Sequence, residues 1–502
     1  MKHWSLAAST ATLALFAGYA QADVTPDQVW QNWQDMSASM GQTLTVGSTK
    51  TEGGALVVTD LKAVTGKDGS KVETALGEVR LTDKGDGTVE ITMSDSYTVA
   101  MNFPPSGSDP AKSAEILISQ PGMAIVASGT PEATDYAFSA PKMELTLSKL
   151  DGKDAVAEGT NVQATLANVA GHYLVAPEGT SKKLDSQLTA DSLSIAVKGK
   201  DPENNSDVDL TASVSGLTAK GTGVLAGMEN KELSDALKAG FAVESTLTYG
   251  AVAYTVNVVD AQGPSKIVGS SQGGSLQVAM DAARLLLDAQ GKGVQLAISG
   301  PTIPLPEVSL SYAESGFKFL IPVEKSETPQ DYGFAVKLVD LSLSNDIWGM
   351  IDPTAQLPHD PATVILDTKG TATLTHDLMN QTEMAALGEA PPGQLNSLDL
   401  TQILAKVAGA ELTGAGAFTF DNTDMTTYQG MPAPTGKIDL KLVGGNALLD
   451  KLVAMGLISS DDAMGARMML SMFAKAGAGQ DELTSTLEFK DKHFYANGQQ
   501  LQ

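Results

Sequence analysis

The chain contains no cysteine among its 502 residues. No disulfide can therefore cross-link it, and no lipid-modified cysteine can anchor its mature N-terminus. A chain of this length must then be stabilised by burial alone. Without cysteine, a structural zinc site would need ligands from distant parts of the sequence.

Basic and aromatic residues are both scarce. The chain has 33 Lys and Arg against 59 Asp and Glu, a net charge of −26, and its aromatic content is 5%. Such a charge repels nucleic acid and anionic lipid headgroups and favours solubility. Stripes of basic residues interleaved with aromatics, typical of nucleic-acid binding, do not occur. We expect no nucleic-acid partner, although the charge identifies no other partner.

The first 22 residues have the three parts of a secretory signal peptide. Met1-Lys2 supplies a positive charge, Leu6 to Tyr19 an apolar stretch, and Ala20-Gln21-Ala22 a small-residue cleavage site. We predict cleavage after Ala22 and a periplasmic location. No later stretch approaches the roughly 18 consecutive apolar residues of a spanning helix, so we predict no membrane-spanning segment after removal of the signal.

The mature chain opens with one amphipathic helix. Thr25-Pro26-Asp27-Gln28 has the form of a capping box with proline at the first helical position. A core-facing stripe follows at helical spacing, and Gly41 stands where the helix should end. The stripe consists of Val29, Trp33, Met36 and Met40, with Trp30 beside it.

From Thr43 onward the apolar residues recur with a period of two, which indicates β-strands. Short separators such as Glu52-Gly-Gly and Lys67-Asp-Gly are typical of hairpin turns. The sequence therefore predicts a mainly β fold: a long, antiparallel, meandering, curved sheet with an N-terminal helix and a C-terminal helical pair. The predicted strands of the first half are 43–46, 55–64, 72–81, 89–93, 97–103, 114–119, 123–128, 143–147, 162–166, 184–197 and 208–217.

A Gly- and Ser-rich stretch from Gly263 to Gly274 is the best candidate for a loop between two regions. We predict a signal peptide over 1–22, a helix and antiparallel β region over 23–262, a second β region with one helix over 275–443, and a C-terminal module over 444–502. These regions can also form one continuous body. Around the boundary, a short helix is predicted over 232–239, strands over 244–259 and 276–288, an amphipathic helix over 398–407 and a strand over 415–420.

The C-terminal module, Gly444 to Gln502, reads as helix, helix, strand, strand. We predict that its two helices cover an apolar face of the sheet. Their methionines are interpreted as core residues: Met464, Met468, Met469 and Met472. The Asn497-Gly498 turn is expected to return the last residues onto the strand Leu483 to Phe489 or onto a neighbour.

Two Asp-Pro turns flank an apolar patch between Asn345 and Pro361, predicting a fixed corner with Trp348 tucked into it. This corner, the paired helices around Met455-Gly456 and the Asn497-Gly498 turn resemble a family of exported bacterial proteins known only as domain of unknown function twenty-one twenty-five. The C-terminal end is also similar to the YdgA-like envelope proteins. The resemblance implies export and a β-rich body, and it supplies no reaction and no catalytic residues.

Few residues suggest chemistry. Gly269-Ser-Ser271-Gln-Gly273 matches the G-x-S-x-G pattern of hydrolases, but that serine needs a strand-to-helix turn, and here a flexible loop is expected. The carboxylates of Asp201 to Asp207 lack the order of a calcium loop and are expected in a solvated turn. Asp461-Asp462 is interpreted as a helix cap. The mature histidines form no metal-binding pattern, and His359 is expected at the surface: His172, His359, His376 and His493.

Two functions remain in competition. The first is a non-catalytic periplasmic protein with an envelope-associated structural role, or one that binds an apolar ligand or an envelope partner on one face of its sheet. The second is a periplasmic serine hydrolase using Ser271 with His359 or His376. For the first we predict no catalytic residues, no cofactor and no metal site.

Overall fold

The computed structural model describes residues 23–39, 41–67, 69–105, 111–155, 159–201, 205–227 and 233–501. The predicted signal peptide, Met40, Glu232 and part of the Asp201 to Asp207 turn lie outside this range. The helices of the described residues are α1 (Pro26–Ser39), α2 (Leu233–Lys238), α3 (Asn345–Ile351), α4 (Gln381–Leu387), α5 (Gly445–Ala454) and α6 (Ser460–Phe473). None of the helices in this part of the chain is long and apolar enough to cross a membrane.

The strands of the first half are mostly long. They are β1 (Thr43–Thr45), β2 (Ser48–Glu52), β3 (Ala55–Lys67), β4 (Ser70–Asp83), β5 (Val89–Met93), β6 (Ser96–Phe103), β7 (Lys112–Ser119), β8 (Ala124–Gly129), β9 (Thr134–Leu150), β10 (Lys153–Asp154), β11 (Asn161–Glu178), β12 (Ser181–Lys200) and β13 (Asp207–Val224). Eleven of these thirteen strands overlap a predicted strand, whereas β2 and β10 were not predicted.

The strands of the second half continue the same sheet. They are β14 (Ala242–Tyr249), β15 (Val252–Asp260), β16 (Gly263–Ser271), β17 (Gly273–Met280), β18 (Arg284–Ser299), β19 (Val308–Pro322), β20 (Gln330–Leu343), β21 (Ala362–Leu374), β22 (Gly393–Val407), β23 (Ala410–Asp421), β24 (Ala433–Val443), β25 (Lys475–Ala476), β26 (Glu482–Lys490), β27 (His493–Ala496) and β28 (Gln499–Gln500). Among the described residues the 28 strands form one sheet.

The sheet is an antiparallel meander, which confirms the predicted fold class. Several long strands pair with two shorter strands placed end to end. β13 pairs with β14 and β15, and β18 pairs with β16 and β17. The breaks between the short strands lie at Gly250 and Gln272, and their amides donate to Ser215 and Lys292 on the long strands. These breaks lie on one line across the sheet.

Along this line the backbone of the long strands takes positive φ, at Asn168 (49°), Gly216 (59°), Gly293 (57°) and Asp340 (54°). We call the line the crease. Side chains in a strand alternate between faces, so residues three apart normally point to opposite faces. Leu166 and Val169, on either side of Asn168, nevertheless pack in one apolar cluster. At the crease the apolar residues of a strand switch between even and odd positions in the sequence. Their side chains nevertheless stay on one face of the sheet.

The largest buried core lies at the N-terminal end. Val29 and Trp30 of α1 pack onto Leu61, Leu81 and Ile91 of the adjacent strands. The capping box of α1 is confirmed, because the Gln28 side chain accepts from the Thr25 amide at 2.9 Å and the Thr25 hydroxyl accepts from the Gln28 amide at 3.3 Å. The first strands are thus covered by one helix.

Four predictions of local structure were wrong. Residues 263–274, predicted as a loop, form all of β16 and the start of β17, and residues 398–407, predicted as a helix, belong to β22. In both cases pairing with two neighbouring strands satisfies the backbone, and it overrides local glycine content or helical periodicity. The single strand expected over 244–259 is two strands that break at Gly250, and the single strand expected over 276–288 is interrupted at residues 281–283 between β17 and β18.

The end of the chain follows one of its two predicted pairings. Asn497 and Gly498 form the expected turn, with φ of 52° and 83°. The last strand, β28, pairs with β27, and β27 in turn pairs with β26. The final residues therefore return onto their immediate neighbour, which was the second of the two predicted outcomes.

Candidate functional site

One face of the sheet carries apolar side chains in rows that cross many strands; we call it the apolar face. In one row each residue is the direct cross-strand partner of the next. This row reads Ile118, Leu145, Ala164, Ile195, Ala212, Tyr254, Gly269, Leu296, Leu310 and Leu343. At Gly269 the Tyr254 ring lies where a Cβ atom would stand, so glycine lets the ring lie flat across the strand.

A second row lies on the other side of the crease and runs toward the C-terminal end. Its members are again direct cross-strand partners. They are Ala219, Leu247, Leu276, Ala289, Phe317, Val336, Leu366, Ile403, Gly414, Leu440 and Ser485. We call this the long row. It shows that apolar positions continue across the second half of the sheet.

The side chains of the long row remain open to solvent in mid-sheet. Leu276, Phe317 and Val336 are 37%, 39% and 36% exposed, and Phe334 beside them is 37% exposed. Residues on the opposite face are polar with the exception of one alanine, Ala335, in the cross-strand series Thr246, Gln277, Asp288, Lys318, Ala335, Asp367 and Gln402. The middle of the apolar face is thus an open surface, whereas the N-terminal end is a filled core.

The long row ends in an apolar cavity of about 500 Å³ beneath α5 and α6. The Ser485 hydroxyl donates to the Phe473 carbonyl at 2.5 Å, so this polar group already has a partner. Cavities of this volume and lining are typical of apolar ligand sites. The lining residues are Ala410, Leu412, Leu440, Leu442, Gly445, Leu448, Leu449, Ala466, Met469, Leu470, Phe473, Ala474, Leu483, Thr484, Ser485 and Leu487.

Polar contacts fix the two helices over this cavity. Asp481 accepts from the amides of Asn446 and Ala447 at the start of α5. Burial acts to raise the pKa of Asp481, but these hydrogen bonds outweigh it and the pKa is lowered. Arg467 of α6 binds Asp450 of α5 at 2.6 Å. The helix pair is therefore tied both to itself and to the sheet.

The four methionines of α6 are not core residues, contrary to the sequence prediction. They are 60–63% exposed: Met464 62%, Met468 63%, Met469 63% and Met472 60%. The buried side of α6 instead consists of small and apolar residues such as Ala463, which is 1% exposed. Helical spacing alone cannot tell which of two apolar stripes faces the sheet.

Ser271 lies at the end of β16, and β17 follows it after one residue. Its hydroxyl accepts from the Gly273 amide at 3.2 Å. The strand-to-helix turn that exposes a nucleophilic serine is thus replaced by a strand-to-strand connection. His376, one of the two proposed partner histidines, contacts its own neighbour, since its Nδ1 lies 2.9 Å from the Thr375 hydroxyl.

His359 is part of the predicted corner and is exposed at the surface, as predicted. Its ring stacks on Trp348 with 4.1 Å between the centroids, which confirms that Trp348 is tucked into the corner. His359 Nε2 lies 3.5 Å from the buried carboxylate of Asp352, which also accepts from the Leu357 amide at 2.6 Å. Burial acts to raise the pKa of Asp352, but the amides of Leu357 and Gln356 and the His359 ring outweigh it and lower the pKa.

The acidic residues considered for a site are engaged in a helix cap or in ion pairs. Ser459 and Asp462 form a reciprocal capping box at the start of α6, as predicted for the Asp461-Asp462 pair. Glu482 binds Lys441 at 3.0 Å. Asp207, at the end of the predicted turn, binds Lys200 at 2.7 Å. Within the described ranges, no group of three or more His, Asp and Glu side chains could hold a metal ion.

Two features of the structure were not predicted from the sequence. The first is the crease, because the switch of apolar residues between even and odd positions becomes visible in each strand only once the pairing is known. The second is Asp377, which is 1% exposed and whose carboxylate lies 2.7 Å from Lys238 of α2. Nothing in the sequence around Asp377 indicates a partner so distant in the chain.

Comparison with known proteins gives one match. No curated protein and no solved structure matches the chain. A family model described as an uncharacterized protein conserved in bacteria (DUF2125) matches residues 204–497, more than half of the chain. This range includes the corner, the whole of the long row and the helix pair. The chain therefore belongs to this uncharacterized bacterial family, as its sequence resemblance implied.

Proposed function

We propose that this protein is a non-catalytic, periplasmic binding protein that holds an elongated apolar ligand against the apolar face of its sheet. Its role would be associated with the cell envelope. The single observation that carries the proposal is the long row, which leads across solvent-exposed Leu276, Phe317 and Val336 to the cavity beneath α5 and α6.

Physical chemistry favours occupation of this surface. Aliphatic and aromatic side chains gain about 25 cal/mol for each Å² of apolar area removed from water. A row of exposed apolar side chains on a soluble protein typically marks a binding surface. An extended ligand such as an acyl chain matches a row that crosses successive strands about 4.8 Å apart.

The non-catalytic part of the proposal is supported by the surroundings of Ser271. Its hydroxyl is engaged by the Gly273 amide, and strands lie on both sides of it. The periplasmic location rests on the predicted signal peptide.

The test uses the mature full-length protein purified from cells. We expect organic extraction and mass spectrometry to find co-purifying molecules with long acyl chains, and a polarity-sensitive fluorescent fatty acid to bind. Val336 belongs to the long row, and its neighbour Ala335 lies on the opposite face of the sheet. Val336→Asp should weaken dye binding at least tenfold, whereas Ala335→Asp, which adds the same charge, should leave it unchanged.

Two results would overturn the proposal. Absence of both extracted lipid and dye binding removes the ligand, as does an equal effect of the two variants. Labelling by a serine-reactive fluorophosphonate that is lost in Ser271→Ala would instead favour the serine hydrolase.

A further inference from the structure

One side of α6 exposes large apolar side chains to solvent. Met464, Met468 and Met472 are 62%, 63% and 60% exposed. These methionines are four residues apart, so they lie above one another on one side of the helix. We call the three methionines the methionine ridge.

Contacts on the opposite side of α6 hold the ridge outward. Leu470 and Phe473 line the cavity, and Arg467 donates to Asn446 and Asp450 of α5. The reciprocal capping box fixes the start of the helix. The ridge is therefore a defined surface of a fixed helix.

The ridge is continuous with the apolar cavity. Met469 lies next to Met468 in the chain, is itself 63% exposed, and also lines the cavity beneath α6. Leu440 and Ser485, the last residues of the long row, line the same cavity. Apolar surface thus extends from the ridge through the cavity to the apolar face of the sheet.

We propose that the methionine ridge docks on the surface of a lipid bilayer of low net charge, where acyl chains enter or leave the cavity. This inference rests on the proposed ligand-binding function. Unbranched methionine side chains adapt to irregular apolar surroundings, which suits the interface between headgroups and acyl chains.

The composition of the ridge favours a bilayer over a protein partner. Between its methionines the ridge side carries Gly465 and Ser471, and the Ser471 hydroxyl already donates to the Met468 carbonyl at 2.7 Å. Specific protein interfaces combine apolar anchors with directional polar contacts. A fluid acyl layer requires only apolar contact.

Charge determines which bilayer suits the ridge. The chain carries a net charge of −26, and Asp461 and Asp462 occupy the first turn of α6. Anionic headgroups repel such a surface. Zwitterionic bilayers are therefore the expected surface.

The test is flotation of the full mature protein with vesicles of phosphatidylcholine and phosphatidylethanolamine. The wild type should float with these vesicles, and replacing a third of the lipid by phosphatidylglycerol should reduce the floated fraction. Exchanging the three ridge methionines for glutamine (M464Q/M468Q/M472Q) should lower the partition coefficient at least tenfold. The matched leucine variant (M464L/M468L/M472L) should retain it, because leucine keeps the apolar area.

Met350→Gln provides a control for an exposed methionine outside the ridge, since Met350 is 61% exposed on α3. It should float as the wild type does. Failure of the wild type to float, or equal flotation of the glutamine variant, overturns docking. Loss in the leucine variant as well would indicate a thioether-specific or shape-specific partner and would also overturn it.

The outcomes separate docking from ligand binding. If docking fails alone, fluorescent fatty acid still binds the protein in solution while flotation is absent. If the proposed function fails, the protein binds no fatty acid whether or not it floats. Circular dichroism of each variant verifies the fold.

Discussion

The Asn168 side-chain amide donates to the carboxylate of Asp191 at 2.7 Å, across β11 and β12 where the sheet is creased. Both side chains are exposed, while Val169 and Ala190 beside them are each 3% exposed on the apolar face. This hydrogen bond therefore lies where, in both paired strands, the apolar residues switch between even and odd positions.

Substitution of Gly216 tests the backbone conformation of the crease, because an added side chain would meet no close neighbour. A Cβ atom there would meet nothing closer than the Gly250 amide nitrogen at 3.9 Å, but the φ of 59° disfavours side chains. We expect Gly216→Val to reduce the free energy of unfolding by about 1–2 kcal/mol, and Gly216→Asn to cost less because asparagine tolerates this conformation. Denaturant titration measures both, and equal costs would contradict the conformational explanation.

The buried carboxylate of Asp377 is stabilised by the ammonium group of Lys238. Asp377 also accepts from the Lys325 amide at 2.8 Å, and Lys238→Met would leave its carboxylate without a cation. We expect this variant to lose about 1–3 kcal/mol of unfolding free energy at neutral pH. Lys318→Met, on the polar face of the sheet, serves as the matched control and should change stability by less than about 0.5 kcal/mol.

The same pair predicts a pH dependence. Burial acts to raise the pKa of Asp377, but the Lys238 ammonium and the Lys325 amide outweigh it and lower the pKa. A carboxyl with a lowered pKa stabilises the fold above the unfolded value of about 3.9 and loses this effect as the pH falls through the folded pKa. The difference between wild type and Lys238→Met should be complete at pH 7 and should shrink below about pH 4. A difference that persists at pH 2 would contradict the assignment.

The contribution of the capping box to the stability of α6 should be measurable within that helix. Ser459→Ala removes the acceptor of the Asp462 amide and should destabilise α6 by about 1 kcal/mol. Amide hydrogen exchange in residues 460–473 should accelerate accordingly. Ser471→Ala in the same helix lies outside the cap and should leave the exchange of the first turn unchanged.

Deletion of residues 444–502 should yield an insoluble protein. β24 would lose its pairing with β26, and Leu440 and Leu442 would lose the cover of the helix pair. Unpaired strand edges with apolar side chains aggregate. Truncation after Gly498 removes only the pairing of β28 with β27 and should remain soluble. A soluble, cooperatively unfolding 1–443 fragment, measured by sedimentation and thermal melting, would show that the module is not required for closure.

Much of the fold could be predicted because antiparallel strands record their two environments in alternate residues. The strand 89–93 was located to the residue, and the caps of α1 and α6 were visible in Thr25 to Gln28 and Ser459 to Asp462. Residues 398–407 were assigned incorrectly because their leucines also fit helical spacing, and only pairing with β21 and β23 decides between the two.

The binding surface was harder to predict. The sequence indicated an apolar face, but whether side chains such as Phe317 meet solvent or a covering element depends on contacts between distant segments. The same holds for the methionines of α6, since both sides of that helix carry apolar residues.

The sequence by itself determined the strands, the helix caps and the acidic, cysteine-free character of the protein, because these depend on local periodicity and composition. Only the tertiary structure decided the register that aligns the long row, the crease that keeps it on one face, and the exposure of the methionine ridge. These features depend on which distant residues become neighbours, and no local pattern specifies that.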